Sequence, residues 1–292
     1  MTSLIDRPPA WSLAVVAMLS VQLGAAISVH LFDAVGVAGT AWLRLTLGAI
    51  GFVLIARPRY WRWTLAQLRA PVLLGVVSAM MTLSFLASIQ WLPLGTAVAI
   101  EFLGPLAVAA IASGSWSASV WPALAFVGVL LLTEPWSGDL NLVGFAFAVL
   151  AGVGWALYIV ITQHVGDRFK GVDALAISLP VAALLSAVVG LPQAWGHIDL
   201  RVLGIAVVAA LLLPLIPWTL ELFALRRLTK SAFGTLMALE PAIALLIGLI
   251  ALQQVPNLAA VVGIACVVVA GVAAERSGGR GLVAPELETP LG

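Results

Sequence analysis

The stretch GTAVAIEFLGPLAVAA at residues 95–110 holds an acid and a helix-breaking proline within an apolar run. The stretch GTLMALEPAIALL at residues 234–246 holds the same combination. A shift of 136 positions places Pro105 on Pro241, although Glu101 and Glu240 do not coincide. A carboxylate within a membrane span is costly unless it faces a partner or a wet cavity, and proline frees a backbone carbonyl that protein or water must satisfy. The doubled pattern predicts a pathway at the interface of two internal repeats.

The composition predicts an all-α, polytopic membrane protein. Of 292 residues, 62% are hydrophobic and only 9% are charged, whereas soluble domains carry about 25% charged residues. The net charge of +1 and the lack of a basic tract interleaved with aromatics give no reason to expect a nucleic-acid partner. The single cysteine, Cys266, and three histidines without ligand spacing predict no metal site and no cofactor.

Ten segments are long and apolar enough to cross a bilayer, which takes about 20 residues of helix. They lie near residues 11–29, 37–56, 71–90, 95–113, 119–133, 142–163, 173–190, 200–225, 231–250 and 256–274. With both termini in the cytoplasm, 12 of the 14 basic residues fall on the inner side. The positive-inside rule therefore favours this orientation over its reverse.

Ten spans divide into two sets of five with opposite orientations, because each set has an odd number of spans. We therefore expect a first five-helix repeat at 1–136, an inverted second repeat at 137–275, and a disordered cytoplasmic tail at 276–292, which is rich in Gly, Pro and Glu. Small residues on the tenth span would permit close helix contact, so both a monomer and a homodimer stay open.

Four prolines are candidate hinges. Pro105 and Pro241 mark the fourth and ninth spans, while Pro214 and Pro217 lie in the eighth span, LLLPLIPWTLEL at 211–222. The eighth span is about 39 Å long if straight, which exceeds the roughly 30 Å hydrocarbon core. It must tilt, kink or unwind. A static kink and a discontinuous helix that lines a cavity are equally weighted alternatives.

Four charged residues lie well inside the predicted spans. At 1.5 Å per residue, Arg44 and Glu101 both lie about 10 Å from the outer surface. We expect an Arg44–Glu101 ion pair or a shared polar network, with Arg44 as an anchor for a substrate carboxylate as the alternative. Glu221 is expected to interact with the nearby basic pair Arg226 and Arg227.

Glu240 has no basic residue at its depth, so it could carry a proton, orient the substrate as a neutral donor, or be structural.

Four more polar or aromatic residues fall within apolar spans. Gln22 is central in the first span, Trp155 and Tyr158 share a face of the sixth, and Trp218 follows Pro217 in the eighth. Side chains of this kind could line a cavity for an amphipathic solute, although packing roles are as plausible for each.

The chain resembles the EamA-type exporters of the drug/metabolite transporter superfamily, and is most similar to the bacterial threonine/homoserine and related aromatic amino-acid exporters. The resemblance is carried by LPLGTAVAIEFLGPLAVA (92–109), LLPLIPWTLELFALRRLTKSAFGTLMALEPA (212–242), AWLRLTLGAI with Arg44, and GWALYIV at 154–160. One departure is QQVP at 253–256, where relatives often carry a Gly-Glu pair, so no role of that acid is carried over.

This resemblance implies a ten-helix fold and efflux of neutral amino acids across the bacterial inner membrane, by alternating access around a central cavity. Another small metabolite or drug on the same fold is an alternative cargo, because this fold supports many substrates. An intramembrane enzyme is disfavoured, since the spans hold no Ser/His set, metal pair or G-x-S-x-G elbow.

Overall fold

The computed structural model describes residues 10–58, 63–113, 120–134, 140–166, 173–225 and 237–277, and within these ranges the chain is helical and contains no strand. The first six helices are α1 (Ala10–Val29), α2 (Phe32–Ala56), α3 (Leu65–Ile89), α4 (Leu94–Glu101), α5 (Leu103–Ser113) and α6 (Val120–Thr133). The others are α7 (Leu142–Gly166), α8 (Asp173–Ala194), α9 (Leu200–Ala210), α10 (Ile216–Leu225), α11 (Glu240–Ala251) and α12 (Leu258–Ser277).

The helices confirm a multi-pass membrane protein. Six helical segments are long and apolar enough to cross a membrane, and four shorter apolar segments accompany them, at Leu94–Val108, Val120–Thr133, Glu240–Ala251 and Leu258–Ala273. The ten segments coincide with the ten predicted spans to within a few residues at most ends. Two starts are exceptions. Helix α3 begins at Leu65 rather than at 71, because Thr64 and Gln67 form a capping box there, and α11 begins at Glu240 rather than at 231.

The eighth predicted span is a discontinuous helix rather than a helix with a static kink. A π-helical turn, Leu211–Leu215, separates α9 from α10, and Leu213 has the extended backbone angles φ −159° and ψ 112°. Pro214 lies in the turn and Pro217 is the second residue of α10. Because proline has no N–H and its ring crowds the preceding turn, one straight helix cannot continue through both.

The fourth and ninth spans are also interrupted next to their prolines. Helix α4 ends at Glu101 and α5 begins at Leu103, so Pro105 lies in the first turn of α5. Residues 231–236 lie outside the described part, and α11 begins at Glu240, with Pro241 next. The sequence prediction had placed Glu240 in the middle of a helix. It instead belongs to a first turn, where proline is tolerated and an acid is favoured by the helix dipole.

The helices pack in specific pairs. The most extensive contacts join α2 with α8, α3 with α7, α6 with α12, α3 with α8 and α1 with α10, and α4 packs against α11. Helix α4 is buried along its whole length, within the largest cluster of apolar side chains. A helix that is buried on all sides requires apolar residues on all sides, and α4 is apolar except for Thr96 and its last residue, Glu101.

Glycines permit the closest of these contacts. A Cβ atom on Gly104 of α5 would overlap the carbonyl oxygen of Gly152 on α7. A Cβ atom on Gly128 of α6 would lie 2.5 Å from the carbonyl oxygen of Gly263 on α12. Real Cβ atoms do not approach this closely, so these crossings require glycine.

Candidate functional site

A buried hydrogen bond joins α1 to the first turn of α11. The Gln22 side-chain nitrogen Nε2 donates to Glu240 Oε1 at 3.2 Å. Both side chains are buried, with 1% of Gln22 and 7% of Glu240 exposed. The other end of the amide, Gln22 Oε1, has no hydrogen-bond partner in the described part of the chain. The sequence identified both residues, but it did not predict that they contact each other.

Arg44 is buried on α2, where it faces α1. Its Nη1 donates to Ser28 Oγ at 3.4 Å, while the Ser28 hydroxyl donates to the carbonyl of Gly24 at 2.7 Å. Across the described residues this is the only hydrogen bond of the guanidinium, which has five N–H groups. Most of the donors of Arg44 are therefore still free to bind another group.

Glu101 connects the two ends of this polar cluster. It is buried at the end of α4 and interacts electrostatically with both Glu240 and Arg44. Among the described residues, no oxygen of Glu101 lies within the 4.0 Å of Arg44 that defines an ion pair. Of the two predicted arrangements, the direct ion pair is wrong, and the two side chains are linked by their electrostatic interaction alone. Glu240, for which no basic partner was expected, accepts a hydrogen bond from Gln22.

The aromatic candidates lie in two groups beside this cluster. Trp155 packs edge-on against Phe102, the residue after Glu101, with ring centroids 6.0 Å apart. Tyr158 lies 5.8 Å from the ring of Trp218, which in turn lies 5.9 Å from Phe52. All three predicted aromatic residues are half-buried. The structure thus brings Trp155 next to the charged cluster and places Tyr158 with Trp218 where α7, α10 and α2 meet.

The break in the eighth span is stabilised by a residue that the sequence reasoning missed. The Ile216 N–H donates to the carbonyl of Leu211. The next donor in this π-helical pattern would be Pro217, which has no N–H, so the carbonyl of Leu212 loses its partner. The Ser20 hydroxyl of α1 donates to that carbonyl at 2.7 Å. A serine two positions before Gln22 in an apolar helix was the only available sequence signal.

A second set of polar contacts lies where α4, α6, α11 and α12 end or begin. Gln254 Oε1 accepts the backbone N–H of Leu94 at 2.9 Å, and Asn257 Nδ2 donates to Glu134 Oε1 at 2.9 Å. A cavity of about 200 Å³ lies beside them, lined partly by Thr96 and Pro256. None of the buried charged residues lines this cavity. The segment QQVP, which departs from the pattern of relatives, has a structural role, because its Gln254 accepts the first backbone N–H of α4.

The expectations for Glu221 and the tail cannot be compared with the structure. The side chain of Glu221, the pair Arg226 and Arg227, and residues 278–292 lie outside the described part of the chain.

Comparison with known proteins identifies the family. The threonine/homoserine exporter RhtA of Escherichia coli (strain K12) is 40% identical over 262 residues, which cover 86% of each chain. The chain belongs to the EamA-like transporter family. The model of that family matches residues 142–273. RhtA of Salmonella typhimurium (strain LT2) is also 40% identical, over 248 residues and 82% of each chain.

A solved crystal structure with 16% sequence identity shares the fold of this EamA-like chain. The superposition has a TM-score of 0.59 and covers 90% of this chain and 97% of the other. The predicted membership of the EamA-type transporters is thus confirmed, and the chain is a member of a transporter family.

Proposed function

We propose that this protein exports amino acids, with threonine and homoserine as the first candidates. The observation that carries the proposal is the 40% identity to threonine/homoserine exporters over 86% of both chains. The buried group of Arg44, Glu101 and Glu240 supports it. Charges within membrane spans usually mark a substrate or ion pathway, because their burial is costly.

The ten spans form two inverted five-helix repeats, at 1–136 and 137–275. Two observations support this division. The family model matches residues 142–273, which fall within the second half. The packing pairs also match under a two-fold axis that relates the two halves. This axis would carry the pair α3 and α7 onto the pair α10 and α1. In the pairs α2 with α8, α4 with α11 and α6 with α12, the two helices are equivalents of each other.

The glycine contacts support the same axis. A two-fold axis that passes between equivalent helices brings the residues closest to the axis near their own counterparts. The 136-residue shift carries Gly128 to position 264, and Gly128 contacts Gly263 on α12. Helices α2 and α8 are antiparallel, since Gly39 contacts Ala194 whereas Gly48 contacts Leu179. Equivalent helices in inverted repeats run in opposite directions, as these do.

Transport proceeds by alternating access, with both termini in the cytoplasm of a bacterium and the protein in its inner membrane. The buried charges are closed off by packing, so a substrate can reach them only after helices move. Pro105, Pro214, Pro217 and Pro241 each lie in the first turn of a helix or in the π-helical turn. Such interruptions are natural hinges, because the neighbouring backbone hydrogen bonds are already absent.

Specificity extends to larger neutral amino acids, including aromatic ones. Trp155 provides an apolar ring with a polar tip next to the charged cluster, and Tyr158 and Trp218 provide two more where α7, α10 and α2 meet. Rings of this kind accept different side chains, while the charged residues bind the part that all amino acids share.

Counterflow in proteoliposomes tests the proposal. Vesicles that contain the purified protein are loaded with unlabelled threonine, homoserine or an aromatic amino acid, and the entry of a labelled one is followed. We expect saturable exchange that protein-free vesicles lack. Absence of exchange for every amino acid would overturn amino-acid export.

A further inference from the structure

The buried polar cluster contains an unused acceptor beside two carboxylates. Gln22 Nε2 is held by Glu240, so Oε1 of the same amide is fixed nearby with no donor in the described part of the chain. A buried acceptor without a donor is unfavourable, because it has lost its hydrogen bonds to water. The carboxylates of Glu240 and Glu101 lie close enough to repel each other. A cation with several N–H donors would donate to the unused acceptor and would also reduce the repulsion between the two carboxylates.

A primary ammonium group fits these acceptors. It has three N–H donors in a compact positive charge. Gln22 Oε1, Glu240 and Glu101 offer three acceptors from α1, α11 and α4. These helices belong to both halves of the chain, so an ammonium bound here would contact both repeats.

The other end of the cluster fits a carboxylate. Arg44 is 4% exposed and uses one of its N–H groups, on Ser28. Guanidinium binds carboxylates through two parallel hydrogen bonds, which makes arginine well suited to this task. Arg44 and Glu101 interact electrostatically but form no ion pair within 4.0 Å among the described residues. The two side chains are therefore not neutralised by a direct pair with each other, and a ligand with two groups of opposite charge on one carbon atom would pair with both.

We infer that Arg44 binds the α-carboxylate, and that Gln22, Glu101 and Glu240 bind the α-ammonium, of one zwitterionic amino acid. This inference rests on the proposed function and adds a definite ligand orientation to it. A ligand with only one of the two charges leaves the opposite end of the cluster buried without a partner. The site should therefore reject it, because an uncompensated buried charge is strongly unfavourable.

Competition binding to the purified full-length protein tests the inference. Labelled L-threonine is displaced by three probes: unlabelled L-threonine, L-threonine methyl ester, which lacks the carboxylate, and 3-hydroxybutyrate, which lacks the ammonium. For the wild type we expect both analogues to bind at least about 100-fold more weakly than threonine, as sites built to pair a polar group discriminate.

Three variants test which residues bind the carboxylate of the amino acid and which bind its ammonium group. Arg44→Gln should weaken threonine binding by at least about tenfold and leave the methyl ester unchanged. Gln22→Leu and Glu240→Gln should weaken threonine binding and leave 3-hydroxybutyrate unchanged. Ser186→Ala, which removes a buried hydroxyl that donates to Ala183 on α8, is the matched control and should bind like the wild type.

Equal affinity of the wild type for all three probes would overturn the inference, even if every variant failed to fold. So would a variant of Arg44 that weakens all probes by one common factor. A wild-type protein that binds no amino acid at all would instead overturn amino-acid export itself, which separates the two failures.

Discussion

Gln22 and Glu240 are 218 positions apart in the chain and are joined by a hydrogen bond of 3.2 Å. The bond links the first helix to the helix that begins at the second Glu/Pro motif. It fixes one amide and one carboxylate in a buried environment, and so connects the N-terminal and C-terminal halves of the chain where charged residues are close together.

The first prediction concerns this bond. Gln22→Leu removes the donor and leaves the buried Glu240 carboxylate without it, which we expect to lower the free energy of unfolding by about 1–3 kcal/mol. Thermal melting of the purified protein would measure the change. The double variant Gln22→Leu/Glu240→Leu should recover part of the loss, because neither polar group is then buried alone. Strictly additive losses would show that the two residues do not interact.

The second prediction concerns Ser20. Ser20→Ala leaves the Leu212 carbonyl without its 2.7 Å partner at the break between α9 and α10, so we expect a loss of about 1 kcal/mol in stability. Thr219→Val is the matched control. Its hydroxyl donates to the carbonyl of Leu215 four residues earlier, which is the local bond that threonine commonly forms in a helix and joins no second helix. Equal melting temperatures for Ser20→Ala and the wild type would contradict the proposed role of Ser20.

Features that depend on neighbouring residues could be predicted from the sequence more readily than contacts between residues far apart in the chain. Local chemistry identified Pro105, Pro214 and Pro241 as weak points, since proline removes a donor wherever it occurs, but it left a static kink and a discontinuous helix equally open for the eighth span. The apolar spans followed from their length and composition. The start of α11 at Glu240 was missed, because the apolar pattern continues through the proline without interruption.

The contacts within the site could not be predicted in the same way. Depth arithmetic placed Arg44 and Glu101 at one level, yet it could not determine which helix faces bring side chains together. The partner of Glu240 is on α1, far away in sequence, and Ser28 resembles any small polar residue in a membrane helix. Such pairings depend on the packing of α1 against α11 and α2, which the tertiary structure alone defines.

The third prediction concerns close helix packing. Gly104→Ala would place a Cβ atom against the Gly152 carbonyl, where the contact is with backbone that cannot move aside cheaply. We expect the variant to lose at least about 1–3 kcal/mol of stability and much of its yield of folded protein. Gly204→Ala is the control, because a Cβ atom there has no neighbour within 4 Å. Size-exclusion chromatography would compare the two, and an equal yield would contradict the packing argument.

The last prediction concerns energy coupling. The buried cluster contains two carboxylates and one guanidinium, so a bound proton is the smallest cation that can balance it. Glu240→Gln keeps an acceptor for Gln22 but cannot bind and release a proton. We expect an imposed pH gradient to stimulate threonine uptake by wild-type proteoliposomes and to have no effect on this variant. Its counterflow needs no net proton movement and should continue when the threonine concentration is high enough to offset its weaker binding. Glu134→Gln alters an acid outside the cluster, next to Asn257, and should respond like the wild type. Unchanged gradient dependence in Glu240→Gln would remove Glu240 as the proton site.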